Sequence, residues 1–216
     1  MADNFPGVAA TPYSWPFDGQ WSAADSALLI LGFQNGTIAA LGAEPEAAVV
    51  AKLIACAQEV GLPVIASRRS RGEALSPVAA RRAAMGDPVF APGTPEWQLS
   101  DTLGLPAEAS IFDHPGDNAF YSTGLDAWLR RRGIRNLVLA GVPTEGLLHA
   151  TQRAANDMGF ECIAVSDACK GTTDVRHAGQ LRITVFGNGL FGTVARSDQL
   201  FSALRRPSRP EEDRHV

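Results

Sequence analysis

Short apolar runs without charged residues alternate along this chain with segments of helical periodicity. Ala27–Leu31 and Asn136–Val142 are such runs, and Pro45–Val60 repeats apolar residues at helical spacing. A continuous apolar run bounded by turn residues is typical of a strand buried on both faces. Strands that alternate with helices indicate βαβ units and a parallel sheet covered on both sides. We therefore predict an α/β fold with three layers, α-β-α, around a mostly parallel sheet.

The remaining elements follow from the same pattern. Further strands are predicted at Leu62–Ala66, Ser110–Phe112, Glu161–Ser166 and Gly192–Ala195, and further helices at Thr123–Arg132, Thr144–Met158 and Val175–Phe186. Residues 67–96 are predicted to form a long irregular stretch, which in a compact domain is usually functional. Residues 1–24 are rich in Pro, Gly and aromatic residues and are predicted to form an N-terminal arm. Residues 25–205 read as one domain, and residues 206–216 as a loose tail.

Composition limits the functions open to the chain. Its 216 residues are 45% hydrophobic and carry a formal net charge of −4. That apolar content excludes a wholly disordered chain, and nucleic-acid binders are usually basic, so we expect no nucleic-acid partner. Three cysteines without a CxxC pair favour a reducing compartment. With no secretory signal and no apolar run suited to a membrane span, we expect a cytoplasmic protein that does not bind membranes.

Ligands of parallel sheets bind beyond the carboxyl ends of the strands, so polar residues there are candidate site residues. His114 follows a predicted strand and is a candidate for proton transfer, or else a loop histidine bonded to backbone. Glu145 is a candidate acid or base, or else a residue that favours the first turn of a helix. Arg68, clustered with Arg69 and Arg71, is a candidate for binding a substrate carboxylate, or else a solvated loop charge.

Motifs for metals, nucleotides and covalent catalysis are not found in the sequence. There is no HExxH motif or His/Cys cluster with metal spacing, no GxGxxG after a strand, no Walker motif and no GxSxG. We therefore expect no metal and no cofactor. Cys56 and Cys162 are predicted to be core thiols. Cys169 is predicted to be non-catalytic, because no histidine is near it in the sequence.

Several segments together resemble one known family, the isochorismatase-like cysteine hydrolases, nearest their biuret, ureide and carbamoyl amidohydrolase branch. The resemblance covers nearly the whole chain and is carried by residues 15–19 (WPFDG), 27–34, 115–126 (PGDNAFYSTGLD), 133–142 (GIRNLVLAGV), 154–162 and 191–195. It implies the fold of that family. It also implies a cis peptide near Val142–Pro143 and an oxyanion region that includes Pro143 and Gly146.

The resemblance also implies where catalytic residues should stand. The family uses an Asp–Lys–Cys triad, and the matching positions here are Gly32, His114 and Leu147. Loss of nucleophile and base from a comparable triad costs on the order of a million-fold in turnover. Amidase action through a thiol is therefore not expected of this chain.

Two functions remain open at this point. The first is a repurposed small-molecule enzyme that uses acid–base chemistry of His114, together with Glu145 or Asp113, on a less polar substrate. Its substrate-binding residues are predicted to be Gly32, Phe33, Arg68, Phe112, Tyr121 and Leu147. The second is a catalytically inactive pseudoenzyme that serves as a binding or scaffold subunit. The family commonly forms dimers and tetramers, so we expect a homo-oligomer, with an active paralogue as a further candidate partner.

Overall fold

The computed structural model describes residues 4–70, 77–86 and 90–205. Strands β1 to β6 span Ser26–Leu31, Val64–Arg69, Ser110–His114, Asn136–Gly141, Glu161–Val165 and Thr193–Ala195. Helices α1 to α7 span Asn35–Leu41, Glu44–Glu59, Pro77–Ala84, Leu125–Arg131, His149–Asp157, Asp174–Gly189 and Ser197–Leu204. The six strands form one sheet in the order β3-β2-β1-β4-β5-β6, and each neighbouring pair is parallel. None of the described helices is both long and apolar enough to cross a membrane.

The centre of the sheet is apolar on both faces. Every residue of β1 and of β4 is buried, and the two strands pair in register from Ser26 opposite Asn136 to Leu31 opposite Gly141. Side chains alternate along a strand, so β1 contributes to two separate cores. One core contains residues of α2 and α7, and the other contains residues of α4 and α5. The three-layer α-β-α prediction is therefore confirmed.

Two of the predicted strands end too early in the chain. β2 runs on to Arg69, and β3 runs on to His114, so His114 is the last residue of a strand and does not follow one. Arg68 and Arg69 pair with Asp113 and His114 across the two strands. A search for apolar runs misses such residues because they are polar. In the folded chain these side chains at the ends of the strands interact with one another across the ladder.

Five helical regions also differ from the prediction. Helices α1 and α7 were not predicted; α1 has seven residues and buries only one apolar side chain, so its sequence carries little periodicity. The predicted helix at Thr144–Met158 is divided into a π-helical turn, Thr144–Leu148, and α5. Helix α6 contains a break in which Gly187 and Asn188 have positive φ. The stretch 67–96 contains α3, and its residues 71–76 and 87–89, Arg71 among them, lie outside the described residues.

The N-terminal arm packs on its own chain. Val8 pairs with Trp15, and Thr11 pairs with Val194 of the edge strand β6. Trp15 and Trp21 are fully buried in the core that contains α2. The boundaries of the arm and of the domain stay predictions, and the predicted tail lies outside the described residues.

Candidate active site

A cavity of about 420 Å³ lies at the carboxyl edge of the sheet, where β1, β2 and β4 end. Its walls are mostly apolar and include Leu41 from α1, Phe90, Val142 and Leu147. Charged residues also line the cavity, namely Arg69, Arg82, Asp117, Glu145 and Arg176. None of the described residues in its walls carries a thiol. The cavity lies at the edge where the sequence predicted a ligand site.

Gly32 and Leu147 fit against each other in the wall of this cavity. Gly32 has φ of 72°, and a Cβ atom built on it would lie 2.7 Å from Leu147 Cδ2 and 2.6 Å from the Val142 carbonyl oxygen. Leu147 is 3% exposed. The leucine therefore fills the space into which a side chain at position 32 would extend, and the wall is apolar where the two residues meet.

His114 is almost fully buried, with 1% exposure, and does not line the cavity. Its Nδ1 lies 2.7 Å from the Gly116 carbonyl oxygen, and its Nε2 lies 3.3 Å from Ser67 Oγ. Burial lowers the pKa of His114 below its ordinary value, so the ring is neutral at pH 7. The neutral ring then donates from Nδ1 to the carbonyl and accepts at Nε2 from the Ser67 hydroxyl.

Glu145 lies in the π-helical turn after β4 and lines the cavity. Its Oε1 accepts a 2.9 Å hydrogen bond from the Thr172 backbone N–H and a second bond from the Thr172 hydroxyl. Its Oε2 is buried and has no hydrogen-bond partner among the described residues. Burial raises the pKa of Glu145, but the hydrogen bonds from Thr172 and the nearby Arg176 outweigh burial, so the pKa is lowered overall. Glu145 is therefore a carboxylate at neutral pH.

The predicted oxyanion region is an irregular turn. The Val142–Pro143 peptide is cis, at the place that the resemblance implied. The Gly146 N–H donates to the Pro143 carbonyl at 3.2 Å, so this amide bonds inside the turn. A Cβ atom on Gly146 would lie 3.0 Å from Pro143 Cγ, which explains why a residue without a side chain fits there.

Two adjacent arginines at the end of β2 point to different sides. Arg68 binds Asp113 through two hydrogen bonds, of 2.7 and 3.1 Å, and lies over the Trp97 ring, outside the cavity. Arg69 lines the cavity and lies 3.6 Å from Asp117 Oδ1. Successive side chains of a strand point to opposite faces, so only one of the two can face the cavity.

A model of the isochorismatase domain matches residues 26–199. The chain belongs to the isochorismatase family. It is 31% identical over 109 residues to the ureidoacrylate amidohydrolase RutB of Acinetobacter baylyi, a match that spans 50% of this chain and 43% of that enzyme. It is also 31% identical over 166 residues to the uncharacterized isochorismatase family protein YecD of Escherichia coli, spanning 72% of this chain and 85% of that protein.

Solved structures of isochorismatase-family proteins share the fold. An isochorismatase family protein from Desulfovibrio vulgaris has a TM-score of 0.73 and 22% identity, and the match covers 85% of this chain and 100% of that one. A cysteine hydrolase from Pseudomonas syringae has a TM-score of 0.76 and 21% identity, with 92% and 97% covered. The isochorismatase-like fold predicted from the sequence is therefore confirmed.

In this isochorismatase-family chain, Ser67 contacts two of the three positions that the resemblance assigned to the triad. The Gly32 N–H donates to the Ser67 carbonyl at 3.1 Å, and the Ser67 hydroxyl faces His114 Nε2. Leu147 packs on Gly32 from the other side. Positions 32, 114 and 147 therefore lie together, although only Gly32 and Leu147 line the cavity.

The aromatic residues predicted to bind substrate lie elsewhere in this family member. Phe33 is fully buried in the core on the α2 side, and Phe112 packs edge to face against Trp128. Tyr121 is 62% exposed. None of the three lines the cavity. They stay candidates by sequence only.

Sequence reasoning did not single out several residues that line the cavity. Arg82 and Phe90 come from the stretch predicted to be irregular, and Arg176 lies on α6. Asp117 and Thr172 also line the cavity and were not among the predicted site residues. The sequence carried one usable signal for these residues. Side chains alternate along a strand, so Arg69 and Arg68 must point to opposite faces of the sheet.

The cysteines of this isochorismatase-family chain are all buried. Burial raises the pKa of Cys169 to about 12, and it also raises the pKa values of Cys56 and Cys162. These thiols stay protonated at neutral pH, and a protonated thiol is not a nucleophile. Among the described residues, no group of three or more His, Cys, Asp or Glu side chains could hold a metal ion.

Proposed function

We propose that this isochorismatase-family hydrolase acts on a small, largely apolar molecule by non-covalent acid–base chemistry, with Glu145 as the group that moves the proton. The cavity is open, and its volume of about 420 Å³ falls in the ordinary range of small-molecule sites, about 300–1,000 Å³. The contact between Gly32 and Leu147 makes its inner wall apolar. No described wall residue offers a thiol, which supports chemistry without an acyl-enzyme.

The observation that carries this proposal is the state of the Glu145 carboxylate. Thr172 holds one oxygen, whereas the other is buried without a donor. A buried acceptor without a partner costs about 1–3 kcal/mol, and more when it is charged. Oε2 lies beside Gly171, so a ligand O–H or N–H, or an acidic C–H, reaches it and removes that cost only after the carboxylate turns toward the cavity. Because the pKa of Glu145 is lowered, the group is deprotonated at neutral pH and is in the form that accepts a proton, although a lowered pKa also makes it a weaker base.

His114 is a less direct candidate for the same role. Both of its ring nitrogens are bonded inside the protein, and the ring does not line the cavity. To reach a ligand it would have to give up its contact with Ser67. The proposal therefore assigns proton transfer to Glu145, and His114 enters as a second group whose variant is measured beside it.

A substrate screen tests the proposal. The protein is incubated with apolar esters, amides, lactones and enol ethers, and products are detected by liquid chromatography and mass spectrometry. For any substrate found, Glu145→Gln should lower turnover by about 10²–10⁴-fold, the usual contribution of a general acid or base. Glu108→Gln, at an exposed residue outside the cavity, is the control. Turnover by Glu145→Gln within twofold of the natural protein would refute the role of Glu145.

The pseudoenzyme remains the second candidate function, and two observations favour it. Leu147 occupies the space beside Gly32, and His114 is bonded internally. A protein of this kind would bind ligands of the cavity but release every compound of the screen unchanged. Light scattering of the purified protein and co-expression with an active paralogue would then decide between a homo-oligomer, dimer or tetramer, and a mixed assembly.

A further inference from the structure

The guanidinium group of Arg69 faces the cavity with its hydrogen-bonding capacity largely unused. Its one described ion pair, with Asp117 Oδ1, is 3.6 Å long, beyond the usual length of a direct hydrogen bond. Guanidinium groups carry five N–H donors in a planar fork that matches a carboxylate. Its side chain is 24% exposed, so the group is partly withdrawn from water.

The backbone of Arg69 is fixed in place by a buried residue. Gln34, which is fully buried, accepts a 2.8 Å hydrogen bond from the Arg69 N–H and donates a 2.9 Å bond to the Arg69 carbonyl. Asp117 does not belong to Arg69 alone, because its second oxygen binds Arg82. Arg69 is therefore held in position at the cavity wall, while the carboxylate closest to it is shared with another arginine.

The charges of the cavity fall into two groups, Arg69 and Arg82 with Asp117 in one, and Glu145 with Arg176 in the other. Leu41, Phe90 and Leu147 supply apolar surface in the same cavity. Arg69 ends β2 and Glu145 follows β4, with β1 between these strands in the sheet. Adjacent strands lie about 4.8 Å apart, so the ends of β2 and β4 are about 10 Å apart at this edge of the sheet. The group at Arg69 has two arginines and one aspartate, an excess of one positive charge, whereas Arg176 balances Glu145, so a ligand carboxylate is attracted more strongly at Arg69.

We propose that the cavity takes an apolar monocarboxylate, with the ligand carboxylate on the Arg69 guanidinium, the apolar body against Leu41, Phe90 and Leu147, and the reacting end toward Glu145. This inference rests on the proposed function, since it treats the same cavity as the working site. It adds the class of ligand and the direction in which the ligand lies.

Binding of matched probes tests the inference. Calorimetric titrations measure the affinities of phenylacetate, 3-phenylpropanoate and 4-phenylbutanoate, and of the corresponding neutral amides. At least one acid should bind about tenfold more tightly than its amide, which corresponds to the 1.4 kcal/mol expected of a charge-assisted hydrogen bond. Arg69→Gln should abolish this preference. Equal binding of acids and amides, or no binding of any acid at millimolar concentration, would overturn the inference.

Two further variants make the result specific. Arg132→Gln is the control, because Arg132 lies over Trp128 outside the cavity and should leave the preference intact. Arg68→Gln examines the arginine that sequence analysis favoured. Loss of the preference in Arg68→Gln but not in Arg69→Gln would overturn the assignment to Arg69. Circular dichroism and thermal melts of each variant exclude misfolding as the cause of a lost preference.

The outcomes also separate this inference from the proposed function. In one outcome the protein binds acids more tightly than amides, this preference depends on Arg69, and no compound is turned over. That result would support the ligand class and contradict catalysis by Glu145. Turnover of neutral substrates that depends on Glu145 but not on Arg69 would support catalysis and contradict the ligand class.

Discussion

The contact between Gly32 and Leu147 leads to a quantitative prediction for the variant Gly32→Ala. At φ of 72° a residue with a Cβ atom costs about 1–2 kcal/mol more than glycine. The new Cβ atom would also lie 2.6 Å from the Val142 carbonyl oxygen and 2.7 Å from Leu147 Cδ2. Overpacking of this kind typically costs about 1–3 kcal/mol. We therefore expect Gly32→Ala to lower the free energy of unfolding by about 2–5 kcal/mol.

Gly61 provides a matched control for the backbone part of this cost. Its φ is also 72°, but no described atom lies within 4 Å of a Cβ atom built on it. Gly61→Ala should therefore lose only the conformational contribution, about 1–2 kcal/mol. The difference between the two variants measures the steric contribution at Gly32.

A double-mutant cycle separates the two atoms that the new Cβ meets. Leu147→Ala removes the contact with Cδ2 but leaves the Val142 carbonyl in place. The destabilisation of the Gly32→Ala/Leu147→Ala double variant should therefore be smaller than the sum of the single effects, by about 0.5–2 kcal/mol, within the range seen for residues in contact. Urea unfolding followed by circular dichroism gives each free energy. Equal losses for Gly32→Ala and Gly61→Ala, or strict additivity in the cycle, would refute the reasoning.

Two more predictions concern ionisable groups. Thr172→Val removes the hydroxyl donor from Glu145 while keeping the backbone N–H, so the pKa of Glu145 should rise and the acidic limb of the pH–rate profile should move to higher pH; an unmoved limb would contradict the assignment. Burial lowers the pKa of His114, so below the unfolded pKa of about 6.5 the unfolded chain binds a proton that the folded chain does not, and stability falls as pH falls. Urea midpoints between pH 7.5 and 5 should therefore fall less steeply in His114→Gln than in the natural protein, and identical slopes would count against a buried neutral ring.

The central sheet was predictable because its strands are buried on both faces. Every residue of β1 and β4 is buried, and apart from Ser26 and Asn136 at their starts these strands are apolar, so the sequence alone reveals them. The ends of β2 and β3 were not predictable in the same way. Arg68 and Asp113 pair across these strands. Taken singly in the sequence, each of these charged residues favours a loop, and only their pairing shows that both belong to strands.

The walls of the cavity depend on contacts that no local pattern carries. Phe90 and Arg82 come to the cavity from a stretch without clear periodicity, and Arg176 comes from a helix more than 100 residues further along the chain than Arg69. Their positions follow from the packing of whole elements. Glu145 and Leu147, which line the cavity, were singled out from the sequence, Glu145 because it lies in the segment after a recognisable buried strand and Leu147 through the family resemblance.

The structure also changes the meaning of the substitutions at positions 32 and 147. Taken from the sequence, Gly32 and Leu147 are two separate departures from the pattern of a thiol hydrolase. In the folded chain they depend on each other, because Leu147 occupies the space that a side chain at position 32 would need. Replacing Leu147 by cysteine would still leave the Val142 carbonyl 2.6 Å from a Cβ atom at position 32. A carboxylate at position 32 therefore requires a shift of the backbone as well as a smaller residue at 147, so a single substitution should not create a thiol mechanism.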